Sequence, residues 1–123
     1  MWSFGNPVKI HYGVRALEQL SELLHRRRYC LVTYNEPVFQ ALGERIQSIA
    51  GAPVLTVNDI NPNPDFDDLS VSCANYGDVT PAPEVILAVG GGSVMDAAKV
   101  LAAANGDFDR VKCFLESLSL IHI

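Results

Sequence analysis

Short apolar runs alternate along the chain with stretches that carry apolar residues at helical spacing. Three of the runs are compact and rich in β-branched residues, which predicts buried strands over 29–34, 53–59 and 84–89. The helices predicted between and after them cover about 35–51, 65–76 and 93–105. Because strand and helix alternate with short connections, the pattern predicts an α/β fold with a mostly parallel sheet and helices on both of its faces.

The first part of the chain repeats this order. Residues 7–13, "PVKIHYG", predict a short strand at a sheet edge, because a proline opens the run. Residues 16–28 predict a helix in which Leu17 and Leu24, two turns apart, share a face. The arginines at 26–28 lie at its end, where cations complement the helix dipole.

Polar and small residues mark the predicted helix ends. Asn35 has a side chain suited to the N-cap of the second helix, and Gly51 can end that helix. Asp65 and Asp68 have N-cap and N3 spacing at the start of the third helix. These residues set the expected bounds of the helices between the strands.

The last residues of the chain break the pattern. A polar turn and a short helix are expected over 106–116, whereas 117–123, "SLSLIHI", has no cap, no charge and no helical period. Nothing visible in the sequence would cover these apolar groups. We therefore expect one domain over 1–116 and an anomalous tail over 117–123 that is not native sequence, in a truncated chain.

Composition limits the classes of function. The chain has 123 residues, of which 49% are hydrophobic and 19% charged, as in one ordinary soluble domain. A net charge of −5 argues against nucleic acid or an anionic membrane as partner. There is no membrane-span-length apolar run and no signal-peptide core. The three cysteines form no C-x-x-C pair, so no disulfide framework or zinc site is predicted and a cytoplasmic location is expected.

The stretch "EVILAVGGGSVMDAAK", residues 84–99, carries the chemistry. A parallel strand that enters a helix through a minimal loop points the helix's unpaired N–H groups beyond the sheet edge, where they and the helix dipole suit a phosphate. Glycines at 90–92 allow a tight turn and a close approach of an oxygen to the backbone. With the Ser93 hydroxyl as a further donor, they predict a phosphate cradle at a switch point of the sheet.

The same residues have a second interpretation without a ligand. The glycines can serve only as a tight turn, and Ser93 and Asp96 have the S-x-x-D spacing of a capping box. The loop also differs from G-x-G-x-x-G, the usual dinucleotide fingerprint. The residues alone leave both interpretations open.

The glycine stretch and its surroundings resemble a known family. "ILAVGGGSVMDAAKVLA", preceded by "NPNPDFDDL" and "RYCLVTY", is similar to the N-terminal domain of the iron-containing (group III) alcohol dehydrogenases. The resemblance covers residues 6 to about 116 and implies a Rossmann-like, cofactor-binding domain. Dehydroquinate synthase and glycerol dehydrogenases carry variants of the same loop, but the Ser-Val-Met-Asp continuation favours the alcohol dehydrogenase branch.

The resemblance implies roles for individual residues. Gly90, Gly91, Gly92 and Ser93 match the loop that binds the pyrophosphate of NAD or NADP. Asp96 matches an aspartate near the nicotinamide ribose, where a carboxylate can accept hydrogen bonds from ribose hydroxyls without facing the phosphates.

The adenine side of the implied cleft has three further candidates. Tyr34 replaces an aspartate that many NAD-preferring relatives have at the end of this strand. Its loss removes one barrier to NADP, yet no Lys or Arg follows at once, so the cofactor preference stays open; the ring can also stack near the adenine or have no role. Asn63 and Pro64 belong to "NPNP", which matches a loop beside the adenine, although it is also a good turn.

The family's catalytic metal lies outside this chain. The resemblance implies a divalent metal, usually Fe²⁺, held by one Asp and three His of a following all-helical domain that this chain lacks. The three histidines here, His11, His25 and His122, are far apart and lack ligand spacing. We therefore expect no catalytic or metal-binding residue in the chain, and no activity from it alone.

The whole protein implied by the resemblance would interconvert a small alcohol and an aldehyde or ketone by hydride transfer, as a homodimer or larger assembly. Two alternatives remain: a non-catalytic nucleotide-binding module, and another superfamily branch such as a dehydroquinate synthase or glycerol dehydrogenase. The C-terminal part would distinguish them, through a polar end for a module or a cluster of phosphate-binding Lys and Arg for a sugar-phosphate synthase.

Overall fold

Strands and helices alternate along the described part of the chain. The computed structural model describes residues 11–60 and 66–105. In chain order, its elements are a 3₁₀ turn Ala16–Gln19, α1 Leu20–Leu24, β1 Tyr29–Thr33, α2 Pro37–Ala50, β2 Leu55–Val57, α3 Phe66–Asp78, β3 Val85–Val89 and α4 Gly92–Ala104. None of these helices is long and apolar enough to cross a membrane.

Several predicted features fall outside the described residues. They are most of the predicted strand over 7–13, the Asp65 cap, the helix expected over 106–116 and the tail over 117–123. Residues 11–13, the described end of that first strand, are not in a strand.

The described sheet has three parallel strands in the order β2-β1-β3, with β1 in the centre. Val32 pairs with Val57 on one side, and Thr33 pairs with Val89 on the other. The carboxyl ends of the three strands therefore lie at one edge. The chain passes from β1 to one neighbour and then across to the other neighbour, which makes this edge a switch point of the kind where ligands bind.

Helices cover both faces of the sheet, as predicted. Successive side chains of a strand point to opposite faces, and in β1 Tyr29 and Leu31 join one core cluster whereas Cys30 and Val32 join the other. The first cluster includes Ile46 of α2. The second consists mainly of residues of α3 and α4. All five residues of β1 are buried, so apolar packing holds the central strand on both faces of the sheet.

Helix α4 packs one apolar face on the sheet. Its buried residues recur at helical spacing: Val94, Ala97, Ala98, Leu101 and Ala104. Because three of them are alanines, the helix axis can approach the strands closely. The predicted face of this helix is thus confirmed, and it fixes the start of α4 against the end of β3.

The first predicted helix is shorter than expected. A 3₁₀ turn replaces its start, and α1 ends at Leu24 because His25 adopts a left-handed conformation. Arg27 then donates from Nε to the Leu24 carbonyl and from Nη2 to the Leu23 carbonyl, both at 2.8 Å. Arg27 thus makes the expected contact with the helix end, and it does so through hydrogen bonds.

Arg28 joins the amino ends of two strands. Its Nη2 lies 2.9 Å from Glu84 Oε1, and its Nε donates to the Ala82 carbonyl at 2.8 Å. The Arg28 carbonyl accepts hydrogen bonds from the amides of Glu84 and Val85. These bonds hold the segment before β3 beside the start of β1, at the edge opposite the carboxyl ends.

The helix ends between strands agree with the sequence only in part. Gly51 ends α2 as predicted, and its amide donates to the Gln47 carbonyl at 2.9 Å. The predicted N-cap, Asn35, is wrong: Glu36 occupies that position, and the Asn35 side chain accepts a hydrogen bond from Gln40 Nε2 at 2.8 Å. The side-chain oxygen of Asn35 is thus bonded to Gln40 and does not accept from the backbone amides of the helix.

The described cysteines are core residues. Cys30 and Cys73 are free thiols with no exposed surface. Burial raises the pKa of Cys30 to about 11 and also raises that of Cys73. Because the reactive form of cysteine is the thiolate, neither is a candidate nucleophile near neutral pH.

Leu101→Ala should lower the free energy of unfolding by about 3 kcal/mol, because it leaves a cavity in the core beneath the sheet. Leu101 is 0% exposed, and Leu23 of α1, at 42% exposed, offers the matched control. Leu23→Ala should cost less than about 1 kcal/mol. Urea unfolding followed by circular dichroism measures both, and equal losses would contradict the described packing of α4.

Candidate functional site

Two glycines form the whole connection between β3 and α4. The strand ends at Val89 and the helix begins at Gly92. Gly91 is the N-cap residue, with φ −90° and ψ −162°, and its carbonyl accepts a hydrogen bond from the Met95 amide at 3.1 Å. The backbone N–H groups at a helix N-terminus point outward along the helix axis, and here that terminus lies at the carboxyl edge of the sheet.

Gly90 is required by the fold itself. Its φ is +155°, a backbone conformation that residues with side chains rarely adopt. A Cβ at this position would lie 3.0 Å from both Tyr34 Cε2 and Val94 Cγ2, closer than atoms of this kind normally approach. Both the backbone conformation and the close neighbouring side chains therefore disfavour any residue other than glycine here.

Gly91 and Gly92 are under no such constraint. A Cβ at Gly91 would lie 3.5 Å from Tyr34 Oη, an ordinary contact, and a Cβ at Gly92 would meet nothing within 4 Å. Both residues are exposed. The open space beside Gly92, at the N-terminus of a 13-residue helix, is where an anionic group could approach the backbone.

Tyr34 supports the loop from the neighbouring strand. Its half-buried ring lies against Gly90 and makes an edge-on contact with Phe39, with ring centroids 5.1 Å apart and an interplanar angle of 62°. One residue earlier, Thr33 Oγ1 donates to the Val89 carbonyl at 2.8 Å. The end of β1 is thus joined to the loop by both a ring contact and a hydrogen bond.

The contact made by Thr33 was not predicted from the sequence. The apolar run identifies this residue as part of a buried strand, but its partner depends on the register between β1 and β3. Thr33 pairs with Val89 in that register. Only a correct pairing of the two strands would have identified the hydrogen bond.

Ser93 does not cap the helix. A capping box needs Ser93 at the N-cap, whereas Gly91 occupies that position and Ser93 is the second residue of α4. That interpretation of Ser93 and Asp96 is therefore wrong. Asp96 is exposed, and its Oδ1 lies 3.8 Å from Lys99 Nζ in a pair whose side chains are 76% and 79% exposed. Such a pair contributes little to stability and leaves the carboxylate accessible.

The structure brings most of the predicted site residues together. Tyr34 contacts the glycine loop, and Ser93 and Asp96 follow it in the first two turns of α4. Asn63 and Pro64 lie outside the described residues.

A cavity of about 160 Å³ lies beside Tyr34, between α2 and the strands β1 and β2. Its polar lining includes Thr33, Gln40, Glu44 and Asn58. These groups are hydroxyls, amides and one carboxylate, so the cavity offers hydrogen bonds without a positive charge. The cavity lies near the carboxyl edge of the sheet, between β1 and β2, whereas the glycine loop lies on the other side of β1, after β3.

The described side chains do not form a metal site. Across residues 11–60 and 66–105, His, Cys, Asp and Glu form no group of three that could hold a metal ion. The metal implied by the resemblance therefore has no set of ligands among the described residues.

Comparisons with known proteins identify the family. The profile described as iron-containing alcohol dehydrogenase matches residues 7–121, nearly the whole chain and including the glycine loop. The chain belongs to this family. The three-stranded parallel sheet with helices on both faces is the Rossmann-like arrangement expected for its N-terminal domain.

A curated relative supports the same placement. The chain is 33% identical over 103 residues to the NADPH-dependent aldehyde reductase YqhD of Escherichia coli (strain K12). The match covers 80% of this chain and 26% of the relative, so the chain spans about a quarter of that protein. No solved structure matches the chain significantly.

Gly90→Ala should lower the free energy of unfolding by about 1–3 kcal/mol, because alanine is strained at this φ and its methyl group meets Tyr34 and Val94. Gly92→Ala is the matched control. Alanine suits a helix better than glycine and has open space here, so stability should rise or change by less than about 1 kcal/mol. Thermal unfolding of the two variants compares them, and an equal loss in both would argue against the loop conformation.

Proposed function

We propose that this chain provides the dinucleotide-binding part of a nicotinamide-dependent alcohol dehydrogenase or aldehyde reductase. Family membership and the similarity to an NADPH-dependent aldehyde reductase support this class of reaction. One observation carries the binding role: Gly92 lies beside open space at the N-terminus of α4, where the fold does not require a glycine. A residue without a side chain at this point serves a ligand that approaches the backbone.

In this proposal the loop binds the pyrophosphate of NAD or NADP. The amides at the start of α4 donate to phosphate oxygens, and the positive end of the helix dipole adds a favourable charge interaction. Gly91 and Gly92 keep side chains out of the way, while Gly90 maintains the turn. Ser93, in the first turn, contributes a further donor.

Asp96, which is exposed, and Tyr34, which is half-buried, would orient the rest of the cofactor. Asp96, one turn into α4, accepts hydrogen bonds from hydroxyls of the nicotinamide ribose, and its weak pair with Lys99 offers little competition. Tyr34 acts beneath the loop, since its ring is already packed against Gly90 and Phe39. Asn63 and Pro64 are proposed beside the adenine on the strength of the family resemblance alone.

The bound nicotinamide supplies the hydride chemistry. The residues of this chain hold the pyrophosphate at the sheet edge and thereby direct the rest of the cofactor away from that edge. The alcohol or aldehyde and the catalytic metal would bind to the part of the protein beyond these residues. The chain thus fixes the cofactor, and the rest of the protein would determine the substrate.

Two alternatives have less support. A non-catalytic nucleotide-binding module would use the same loop, but the family match favours an enzyme. A sugar-phosphate synthase or glycerol dehydrogenase of the same superfamily would share this domain and differ in the C-terminal part. Turnover by the whole protein, tested with simple aldehydes, with glycerol and with sugar phosphates, separates these possibilities.

The purified chain should bind NAD or NADP, and Gly92→Val should weaken that binding at least about tenfold, because the added side chain fills the space that a phosphate would occupy. Ala102→Val, an exposed position on the same helix, is the matched control and should bind as the wild type does. Nuclear magnetic resonance titration into the millimolar range detects weak binding and reports shifts of the loop amides directly.

The three possible results of these titrations lead to different conclusions about the binding site. Loop-amide shifts that saturate in the wild type and disappear in Gly92→Val would support the phosphate cradle. Equal binding by both valine variants would place the dinucleotide elsewhere. No binding of either dinucleotide by the folded wild-type chain would overturn the proposed binding role.

The chain by itself should not oxidise or reduce any substrate, because the described residues provide no metal site. Nicotinamide absorbance, followed with a series of alcohols and aldehydes and added Fe²⁺, should not change above the enzyme-free rate. Substrate-dependent turnover that survives purification and disappears in Gly92→Val would contradict this expectation.

A further inference from the structure

We propose that a cavity between the ends of α1 and α2 binds a free apolar amino acid, with its carboxylate on Arg26 and its ammonium group on Glu22. The cavity lies at the amino edge of the sheet, whereas the glycine loop lies at the carboxyl edge. The five residues of β1 separate the two edges by roughly 16 Å. This site is therefore separate from the dinucleotide site and does not depend on it.

The cavity is large enough for a small molecule. Its volume is about 360 Å³, against about 160 Å³ for the cavity beside Tyr34. Small-molecule sites commonly measure about 300–1,000 Å³. The lining residues are Ser21, Glu22, Leu24, Arg26, Ile49 and Ala50. They combine an apolar wall with one cation, one carboxylate and one hydroxyl.

The apolar wall of the cavity is continuous with the core. Leu24 is 5% exposed, and Ile49 and Ala50 pack against the core cluster to which it belongs. Tyr29 Oη donates a hydrogen bond to the Gly51 carbonyl, which holds the end of α2 beside the start of β1. Because this wall is already fixed by packing, a ligand that lies against it does not have to order it first.

Arg26 is the member of the arginine run 26–28 whose side chain is not used by the fold. Arg27 donates to carbonyls at the end of α1, and Arg28 pairs with Glu84. In the described structure the Arg26 side chain makes no hydrogen bond or ion pair. Its guanidinium is thus available to a carboxylate, which it can bind through two parallel N–H···O bonds.

The backbone turn that carries Arg26 is conformationally costly. His25 and Arg26 both adopt left-handed conformations, with φ of 50° and 59°, which residues other than glycine rarely do. The amide and Nε of Arg27 both donate to the Leu24 carbonyl, at 2.9 and 2.8 Å, and so hold the turn. Strained residues of this kind concentrate at functional sites. Here the turn ends α1 and brings Arg26 to the cavity.

Negative charge balances Arg26 within the same cavity. The Glu22 side chain makes no ion pair or hydrogen bond in the described structure, so the two opposite charges line the cavity without pairing with each other. The C-terminus of α2, where Ile49 and Ala50 lie, adds partial negative charge from its last carbonyls. An ammonium group suits this part of the cavity. An apolar amino acid offers the carboxylate, the ammonium group and the apolar body in one molecule.

Leucine and two analogues test both charged contacts. Isocaproate has the same carbon skeleton without the ammonium group, and isoamylamine lacks the carboxylate. In nuclear magnetic resonance titrations of the chain, leucine should shift the amides around Leu24 and Ala50 with a Kd in the millimolar range. Each analogue should bind at least about fivefold more weakly, because it leaves one charge of the cavity without a partner.

Two variants assign the contacts to residues. Arg26→Gln should remove most of the advantage of leucine over isoamylamine, and Glu22→Gln should remove most of its advantage over isocaproate, since each variant deletes the partner of the group that the analogue lacks. Arg45→Gln is the matched control, because it removes an exposed arginine of α2 that does not line the cavity. Leucine binding should change by less than about twofold in it. Circular dichroism confirms that each variant is folded.

The outcomes decide this proposal independently of the proposed function. Absence of leucine-dependent shifts in the folded wild-type chain would overturn it, as would equal binding of leucine and isocaproate, or equal weakening of leucine by Arg26→Gln and Arg45→Gln. Gly92→Val should bind leucine as the wild type does, whatever its effect on NAD or NADP. Loss of leucine binding in that folded variant would contradict a separate site at the amino edge.

Discussion

The parallel pairing of β1 with β3 is the constraint on which the candidate site depends. It places Thr33 opposite Val89, so the hydroxyl of one strand bonds the last carbonyl of the other. The next residue of each strand is then Tyr34 or Gly90, and the ring of the first fills the space that a side chain at the second would need. A shift of one residue in this register would turn Tyr34 to the other face and remove the support of the loop.

Burial on both faces is what fixes that register. All of β1 is buried, with alternate side chains in two separate core clusters, so exchanging its two faces would place side chains of the wrong size in both closely packed clusters. The small residues of α4 bring the helix close to the sheet, and Arg28 holds the opposite edge together. The position of the glycine loop thus follows from packing throughout the domain.

The periodic features of the fold were predictable from the sequence, and the ends of elements were less so. The apolar runs identified β1 and β3 almost to the residue, and the spacing in α4 identified its buried face, since burial and period give the same answer there. Asn35 was misassigned because its amide has a competing partner in Gln40. Ser93 was open to a capping role because S-x-x-D spacing does not reveal where the helix begins; here Gly91 is the N-cap residue and the helix begins at Gly92. The contacts of Tyr34 and Thr33 depend on strand pairing, which no local pattern contains.

The three glycines look equivalent in the sequence and have different physical roles in the structure. Gly90 serves the fold, because its φ and its close neighbours disfavour a side chain, and an unliganded turn would explain it fully. Gly92 has no such explanation, because it begins a helix beside open space, where alanine would be the more stable choice. We propose that Gly92 serves a ligand instead of the fold, and the adjacent helix N-terminus favours an anion as that ligand. On that proposal, the motif combines one glycine that makes the turn with another that leaves room for a phosphate. A tight turn alone accounts for only the first.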